Sequence, residues 1–459
     1  MEQITKPHCG ARLDRLPDCR WHSSMFAIVA FGLLVCWSNA VGGLILAQLK
    51  ALGWTDNSTT ATFSAITTAG MFLGALVGGI IGDKTGRRNA FILYEAIHIA
   101  SMVVGAFSPN MDFLIACRFV MGVGLGALLV TLFAGFTEYM PGRNRGTWSS
   151  RVSFIGNWSY PLCSLIAMGL TPLISAEWNW RVQLLIPAIL SLIVTALAWR
   201  YFPESPRWLE SRGRYQEAEK VMRSIEEGVI RQTGKPLPPV VIADDGKAPQ
   251  AVPYSALLTG VLLKRVILGS CVLIAMNVVQ YTLINWLPTI FMTQGINLKD
   301  SIVLNTMSMF GAPFGIFIAM LVMDKIPRKT MGVGLLILIA VLGYIYSLQT
   351  SMLLITLIGF FLITFVYMYV CYASAVYVPE IWPTEAKLRG SGLANAVGRI
   401  SGIAAPYAVA VLLSSYGVTG VFILLGAVSI IVAIAIATIG IETKGVSVES
   451  LSIDAVANK

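Results

Sequence analysis

Four ionisable residues stand inside otherwise apolar stretches, where a charge costs about 2.5–3.5 kcal/mol on insertion scales and so needs a reason to be there. Glu95 and His98 lie one helical turn apart, on one face. A carboxylate beside an imidazole could share a proton near neutral pH. The alternatives are a buried structural hydrogen bond, or Glu95 pairing with Arg87 or Arg88. Arg118 could pair with Glu95, bind an anionic substrate, or serve only the packing of its helix. Arg399 could hold a substrate carboxylate through a bidentate fork, or snorkel to the nearer membrane surface.

A second set is neutral. Trp37, Asn39, Asn157, Trp158, Tyr160, Gln280, Tyr281, Asn285, Trp286, Asn305, Tyr372 and Asn395 are polar or aromatic residues within apolar runs. Together with Arg118 and Arg399 they are the candidate substrate-binding residues. Amides that hydrogen-bond and flat rings that stack suit a sugar-sized ligand in a midplane cavity. The competing reading is helix packing with interfacial Trp and Tyr belts. The concentration of Asn, Gln and Trp around 157 and 285 favours a site.

A third set sits in tight charged turns that recur. Gly79-Ile80-Ile81-Gly82-Asp83-Lys84-Thr85-Gly86-Arg87-Arg88 returns in degraded form as Asp324-Lys325-Ile326-Pro327-Arg328-Lys329, 241 residues later. Glu138-Tyr139-Met140-Pro141 with Arg145-Gly146 returns as Glu380-Ile381-Trp382-Pro383 with Arg389-Gly390, at a step of 242 from Glu138 to Glu380. Glu204 of Pro203-Glu204-Ser205-Pro206-Arg207 and Glu442 form a looser pair at 238. Three matches at nearly one offset indicate two homologous halves in parallel order, one known transporter plan. Gly86 permits a φ > 0 reversal. Asp83 is expected at the start of the following helix, where negative charge is favoured.

The elements that must position these residues are membrane spans. The 459 residues are 56% hydrophobic and only 12% charged, about half the charge of a soluble domain. Twelve apolar spans of about 20 residues, enough to cross a core of about 30 Å, are read at 24–46, 61–82, 89–107, 113–136, 151–174, 182–202, 266–290, 302–323, 331–349, 353–377, 391–413 and 419–440. The net charge of +9 is an orientation signal and not a nucleic-acid footprint. Nearly all Lys and Arg fall on one side, with Lys50, Arg181 and Lys299 opposite, so that side is cytoplasmic and both termini lie there. Domains are expected at 1–202 (six-helix half), 203–263 (linker with a charged amphipathic helix, Leu209 to Glu227), 264–441 (six-helix half) and 442–459 (tail). Gly70, Gly74, Gly78 and Gly82 form a small-residue stripe that permits close helix approach, as static packing or as a sliding contact. Seven scattered cysteines show no paired spacing, which argues against a disulfide framework or a metal site. No cofactor is expected.

The chain resembles the sugar-porter-like branch of the major facilitator superfamily over nearly its whole length. The turn at Gly79–Arg88 matches that family's loop between helices 2 and 3, and Arg118-Phe119-Val120-Met121-Gly122-Val123-Gly124-Leu125-Gly126 its helix 4 motif. Pro203-Glu204-Ser205-Pro206-Arg207-Trp208-Leu209, Pro379-Glu380 with Arg389-Gly390, and Glu442-Thr443-Lys444-Gly445 match its remaining blocks. It is similar to the bacterial inner-membrane metabolite transport proteins of this branch. The resemblance implies that Gly79, Asp83, Gly86, Arg87, Arg88, Glu138, Arg145, Glu204, Arg207, Asp324, Glu380, Arg389 and Glu442 form ion pairs and turns that gate the transport cycle. Two departures matter. The helix 7 signature of hexose porters is absent from the corresponding region, Asn277 to Pro288, and span 1 has no acid facing Arg118. The Gly398-Arg399-Ile400-Ser401-Gly402 run with Pro406 looks more like organic-ion and aromatic-acid symporters.

The expected fold is an all-α membrane protein of twelve transmembrane helices in two pseudo-symmetric six-helix bundles. The expected function is secondary transport of a sugar, polyol or sugar acid by alternating access, with Glu95, His98 and Arg118 as the proton-coupling group. The alternative is an organic-anion or aromatic-acid symporter, and a third is a non-transporting membrane sensor. The chain is expected as a monomer in a bacterial inner membrane, with lipid, substrate and protons as its partners. No metalloprotease, hydrolase or nucleotide-binding motif supports an enzyme.

Overall fold

A twenty-residue apolar run can enter lipid only if every backbone polar group is satisfied within it, which leaves the helix as the solution here. The computed structural model describes residues 7–17, 19–140, 145–240, 253–383 and 386–444, without the side chains of 133, 134, 137, 145–147 and 388. Every regular element among the described residues is a helix, and none is a strand. Spans 2, 3, 4, 6, 7 and 9 are single helices: Asn57–Thr85, Arg87–Ala106, Met111–Tyr139, Ala176–Tyr201, Gly260–Thr293 and Arg328–Ser347.

The other spans are interrupted. Span 1 is Arg20–Val35 and Gly42–Ala51, with a non-helical break between them. Span 5 breaks at Trp158, and span 8 holds a turn at Phe310. Span 10 is Met352–Cys371 followed by a π-helical turn, Tyr372–Tyr377. Spans 11 and 12 form the run Lys387–Ile439, divided by Gly417 at φ 66° and ψ −159°. Continuous spans 1 and 5 were expected from the apolar runs, so those two breaks are differences from the sequence reading; span 8 keeps helical angles at Phe310, φ −59° and ψ −22°, and runs on from Leu298 to Val322. The amphipathic helix expected from Leu209 to Glu227 is likewise two helices, Pro206–Ser211 and Tyr215–Thr233. Gly213, at φ 73°, turns the chain between them.

The described chain packs as two compact units, 1–39 with 70–159 and 184–246, and 40–69 with 160–183 and 247–459. In the first unit the glycine stripe brings backbones together. A Cβ on Gly70 would meet the Phe119 carbonyl, and one on Gly74 would meet Val123. Gly82, from the same stripe, has ordinary space. In the second unit Gly311 and Gly315, each 241 residues after Gly70 and Gly74, meet the backbone of Phe360 and Thr364 in the same way. The small-residue contact is therefore part of the repeat.

A smaller core in the first unit joins the chain's beginning to its middle linker. Helix Cys9–Asp14 seats Cys9, Leu13 and Leu16 against Trp208, Leu209, Ala218, Met222, Ile225 and Val229. Charges rim it. The Arg12 guanidinium donates to both oxygens of Glu226, at 3.0 and 2.7 Å, and also to Glu219. Arg15 reaches Glu226 at 2.6 Å, and Arg207 reaches Asp14 at 2.9 Å. Burial would raise the Glu226 carboxyl, but its bonds to Arg12 and Arg15 prevail and hold it below its usual 4.5.

In the second unit the segments 40–69 and 160–183 pack on spans 7, 8 and 11. Gly43 lies so close to the Ile284 and Asn285 carbonyls that a Cβ would collide with both. Asn57 donates to Ser414 at 2.9 Å, and Asn305 to Ser164 at 3.1 Å.

Candidate functional site

The break in span 1 falls at Trp37, Ser38 and Asn39, at the depth where the charges of spans 3 and 4 stand. An unwound segment leaves backbone carbonyls without helical partners, and one of them is used. The Ser38 carbonyl accepts from Arg118 Nη1 at 2.6 Å. Ser38 Oγ shares a hydrogen bond with His98 Nε2 at 2.7 Å. His98 Nδ1 then lies 3.7 Å from Glu95 Oε2, and both residues are fully buried. Neither oxygen of Glu95 has a hydrogen-bond partner among the described residues. His98 is Glu95's only ion-pair partner there; Arg118 sits instead on the unwound backbone of span 1. Arg87 and Arg88, the other partners considered for Glu95, are engaged elsewhere. Trp37 is buried and Asn39 half-buried at the same break. The result is a chain Glu95–His98–Ser38, with Arg118 as the neighbouring fixed cation. Ser38 was not singled out in the sequence, although Trp37 and Asn39 beside it were.

The second unit gathers most of the neutral candidates. The Tyr160 ring meets that of Tyr367 edge-on, with centroids 5.3 Å apart. Tyr281 is close enough to act electrostatically on both hydroxyls. The Tyr281 ring also lies against Gly402, 3.1 Å from where a Cβ would stand. Gly402 is one turn beyond Arg399 on span 11. Arg399 makes no ion pair among the described residues, and its Nη1 is buried with no hydrogen-bond partner. Two other polar atoms in this unit are buried without a hydrogen-bond partner among the described residues: Asn305 Oδ1 and Trp286 Nε1. Native interiors leave few such atoms, so each marks a point where water or a ligand group belongs. Gln280 is half-buried and Asn285 buried on the same span 7. Tyr367 was missed in the sequence because it lies in a long aromatic run of span 10 that reads as lipid-facing.

Other candidates lie elsewhere. Tyr372 stacks on Tyr377, at 5.0 Å and 15° between the rings, and belongs to the charged end of span 10. Asn395 is exposed and bonds to the Ser391 carbonyl at 2.9 Å. Asn157 is half-buried and bonds to the Ser153 carbonyl at 2.7 Å, and Trp158 is 37% exposed.

The recurring turns form matching charge clusters at the ends of both repeats. In the first, Arg87 Nε donates to Glu138 at 2.9 Å and its Nη1 to Asp83 at 2.7 Å. In the second, Arg328 donates to Glu380 at 3.1 Å and to Asp324 at 3.2 Å. The start of span 3 is capped by Glu204, not by Asp83 as expected. Glu204 accepts the backbone N–H of Arg87 at 2.7 Å and of Arg88 at 3.2 Å, because Gly86, at φ 95°, exposes them. Asp83 turns outward to the Arg87 side chain, and its carbonyl takes the Trp208 indole N–H at 2.8 Å. Glu442 caps span 9 in the same way, at 2.7 and 3.1 Å from the N–H groups of Arg328 and Lys329. Those bonds outweigh its burial and lower the Glu442 carboxyl. Tyr139 donates to the Pro203 carbonyl at 2.6 Å, and Tyr377 to that of Ile441 at 3.0 Å.

Arg328, Tyr139 and Tyr377 were not named as site residues. Arg328 stands 241 residues after Arg87, and Tyr377 stands 238 after Tyr139, so the repeat itself carried the signal. Arg207 belongs to the N-terminal clamp, and Arg389 lies over the Tyr254 ring at 5.1 Å. Gly79 faces open space. The side chain of Arg145 and the residue Gly445 lie outside the described residues.

A family model described as "Sugar (and other) transporter" matches residues 24–455. The inner membrane metabolite transport protein YdjE of Escherichia coli (strain K12) is 44% identical over 455 residues, covering 98% of this chain and 99% of the relative. The niacin transporter NiaP of Acinetobacter baylyi is 26% identical over 448 residues, covering 96% and 99%. In structure, the chain is similar to the partially occluded inward-open conformation of the xylose transporter XylE from E. coli. The TM-score is 0.72 at 18% identity, over 94% of this chain and 100% of the other. That likeness concerns the fold: the helices described above follow the plan of the major facilitator superfamily.

Proposed function

We propose, on the premise that the chain belongs to the sugar (and other) transporter family of the major facilitator superfamily, that it carries a small carboxylate, either a sugar acid or an aromatic acid. As a member of that family it is a multi-pass inner-membrane transporter of small molecules and not an enzyme. The observation that carries the substrate class is Arg399. A guanidinium at membrane depth, without a carboxylate partner among the described residues and with a buried orphan N–H, is a costly feature unless an anion fills it. The bidentate fork of Arg suits a carboxylate. The rings of Tyr160, Tyr281 and Tyr367 and the orphaned Asn305 and Trp286 offer a ligand stacking faces and hydrogen bonds. A neutral sugar or polyol would use the latter and leave Arg399 unmatched.

Transport proceeds by alternating access of the two homologous halves, as a monomer, with the charged turns and both termini in the cytoplasm. Influx is coupled to protons through Glu95 and His98, with Arg118 holding the unwound part of span 1 beside them. A buried carboxylate with no hydrogen bond is expensive when charged, so moving a proton on or off Glu95 changes the energy of this region. A change of that kind can bias a two-state equilibrium.

The test records external pH in lightly buffered, energised vesicles containing the protein. Neutral sugars, polyols, sugar acids and aromatic acids are added one at a time, and uptake of labelled compound is followed in parallel. The expected result is alkalinisation and uptake with one or more carboxylates only. Uptake of a neutral sugar, undiminished in an Arg399→Ala variant, would overturn the carboxylate assignment. Carboxylate uptake without alkalinisation would remove the proton coupling and leave the substrate class standing.

A further inference from the structure

A cavity of about 640 Å³ opens in the first unit, where the end of span 6 and the start of span 3 meet the linker helix Tyr215–Thr233. It lies outside the polar groups of the membrane interior described above. Its walls include Trp21, Tyr201, Arg88, Arg214, Glu217 and Lys220. Their charges do not cancel locally. Glu217 is spent on Arg214, through two bonds of 2.7 and 2.6 Å. Glu204, also in the wall, is spent capping span 3. Two cations remain. Arg88 donates one N–H to the Trp199 carbonyl and stands over the Trp199 ring, but its Nε is buried with no partner. Lys220 makes no ion pair or hydrogen bond among the described residues. Lys220 is exposed and Arg88 half-buried, so both cations are open to an anion that enters from outside.

The setting says which kind. Beside the cavity, span 6 turns an apolar strip outward: Ile193 is 47% exposed, Trp199 63% and Tyr201 60%. Exposed Trp and Tyr at the end of a span are interfacial anchors, and Arg200 lies over Tyr201 at 5.6 Å. A polar, cationic cavity thus continues into a lipid-facing apolar strip at headgroup level.

We propose that this cavity binds the phosphate headgroup of an anionic phospholipid, held between Arg88 and Lys220, with the acyl chains along the exposed strip of span 6. Basic pockets between spans at the cytoplasmic face bind such headgroups elsewhere. The lipid joins the linker helix to spans 3 and 6, so it also braces the Glu204 cap.

The full chain in dodecyl maltoside micelles is mixed with phosphatidylglycerol or phosphatidylcholine, and bound lipid is counted by native mass spectrometry. Inorganic phosphate serves as a soluble competitor. One phosphatidylglycerol is expected to bind in preference to phosphatidylcholine and to resist millimolar phosphate. Lys220→Glu, and Ser224→Trp, which fills the cavity, should each weaken it roughly tenfold without moving the melting temperature. Displacement by phosphate alone would make this a site for a soluble phosphate and overturn the lipid occupant. Equal retention of the two lipids, or binding untouched by both substitutions, would overturn the site. Binding in micelles requires neither transport nor a known orientation, so failure here leaves the proposed function standing, and failure there leaves the lipid site standing.

Discussion

Arg399 and Glu95 pose opposite problems to the same medium. Among the described residues, one is a cation with no anion and the other a carboxylate with no hydrogen-bond donor. Truncating one member of a desolvated charge pair costs about 2–5 kcal/mol. Arg399→Ala is therefore expected to lower carboxylate uptake by roughly thirtyfold or more. Arg399→Lys should rescue little of it, because an ammonium cannot form the planar fork. Expression and melting temperature should stay unchanged in both, as checked on the same vesicle preparations. Glu95→Gln keeps the shape of the site and removes its proton exchange. It should retain downhill exchange of labelled substrate and lose accumulation driven by a pH gradient; full accumulation in the variant would sink the assignment. Both residues were legible in the sequence as charges in apolar runs. What they touch was not. Ser38 lies beside Trp37 and Asn39, and nothing in its type distinguishes it from a packing serine. Its importance comes from the unwound backbone of span 1, which a hydropathy pattern does not register.

Among the elements, the glycine contacts and the N-terminal clamp make the sharpest claims. A side chain on Gly74 would strike Val123 backbone, and backbone cannot rotate away. Gly74→Val should lower stability by at least about 1–3 kcal/mol, read as a drop in melting temperature. Gly79→Ala, one residue past the same stripe in open space, should be neutral or slightly stabilising, since glycine inside a helix costs about 0.5–1 kcal/mol relative to alanine. The clamp predicts a chemical signature. Cys9 is fully buried, and burial, then Glu210, pushes its thiol up to about 12. It should resist maleimide at neutral pH and become reactive in Arg12→Ala. Acid should act similarly. The folded chain holds Glu226 below its usual 4.5 and the unfolded chain does not. The clamp's contribution is therefore present above that value and lost as pH falls through the lower folded one. Maleimide probes fail in acid, so N-terminal clipping by pepsin would serve as the measure. The sequence showed the glycine stripe as spacing. The clamp was invisible in it, because Arg12 and Arg15 read equally well as membrane-orienting charges. Their partners, Glu219 and Glu226, are some 200 residues away.

For the whole molecule, the twofold repeat is the strongest organising fact, and it was legible from three short motifs. The structure extends it to Arg87 and Arg328, Tyr139 and Tyr377, Gly70 and Gly311. Glu204→Gln and Glu442→Gln remove equivalent helix caps, so they should reduce transport to a similar degree while the protein still reaches the membrane. A strong effect from one and none from the other would mean that the two ends have diverged in role. The division into spans was readable because lipid demands long apolar helices, whereas the break in span 1 at Trp37 to Asn39, which no proline marks, was not. One of these features also bears on synthesis. Arg12 finds Glu226 across 214 residues, and at about 5–20 residues per second that interval lasts roughly 10–40 s. During it the N-terminal helix has no seat, and Cys9 stands open to chaperones and thiol reagents. The seat forms as the linker leaves the ribosome, when the first six spans are made and before the last six. Docking of this short segment thus reports that the first half is complete, and a nascent chain stalled any earlier would still display it.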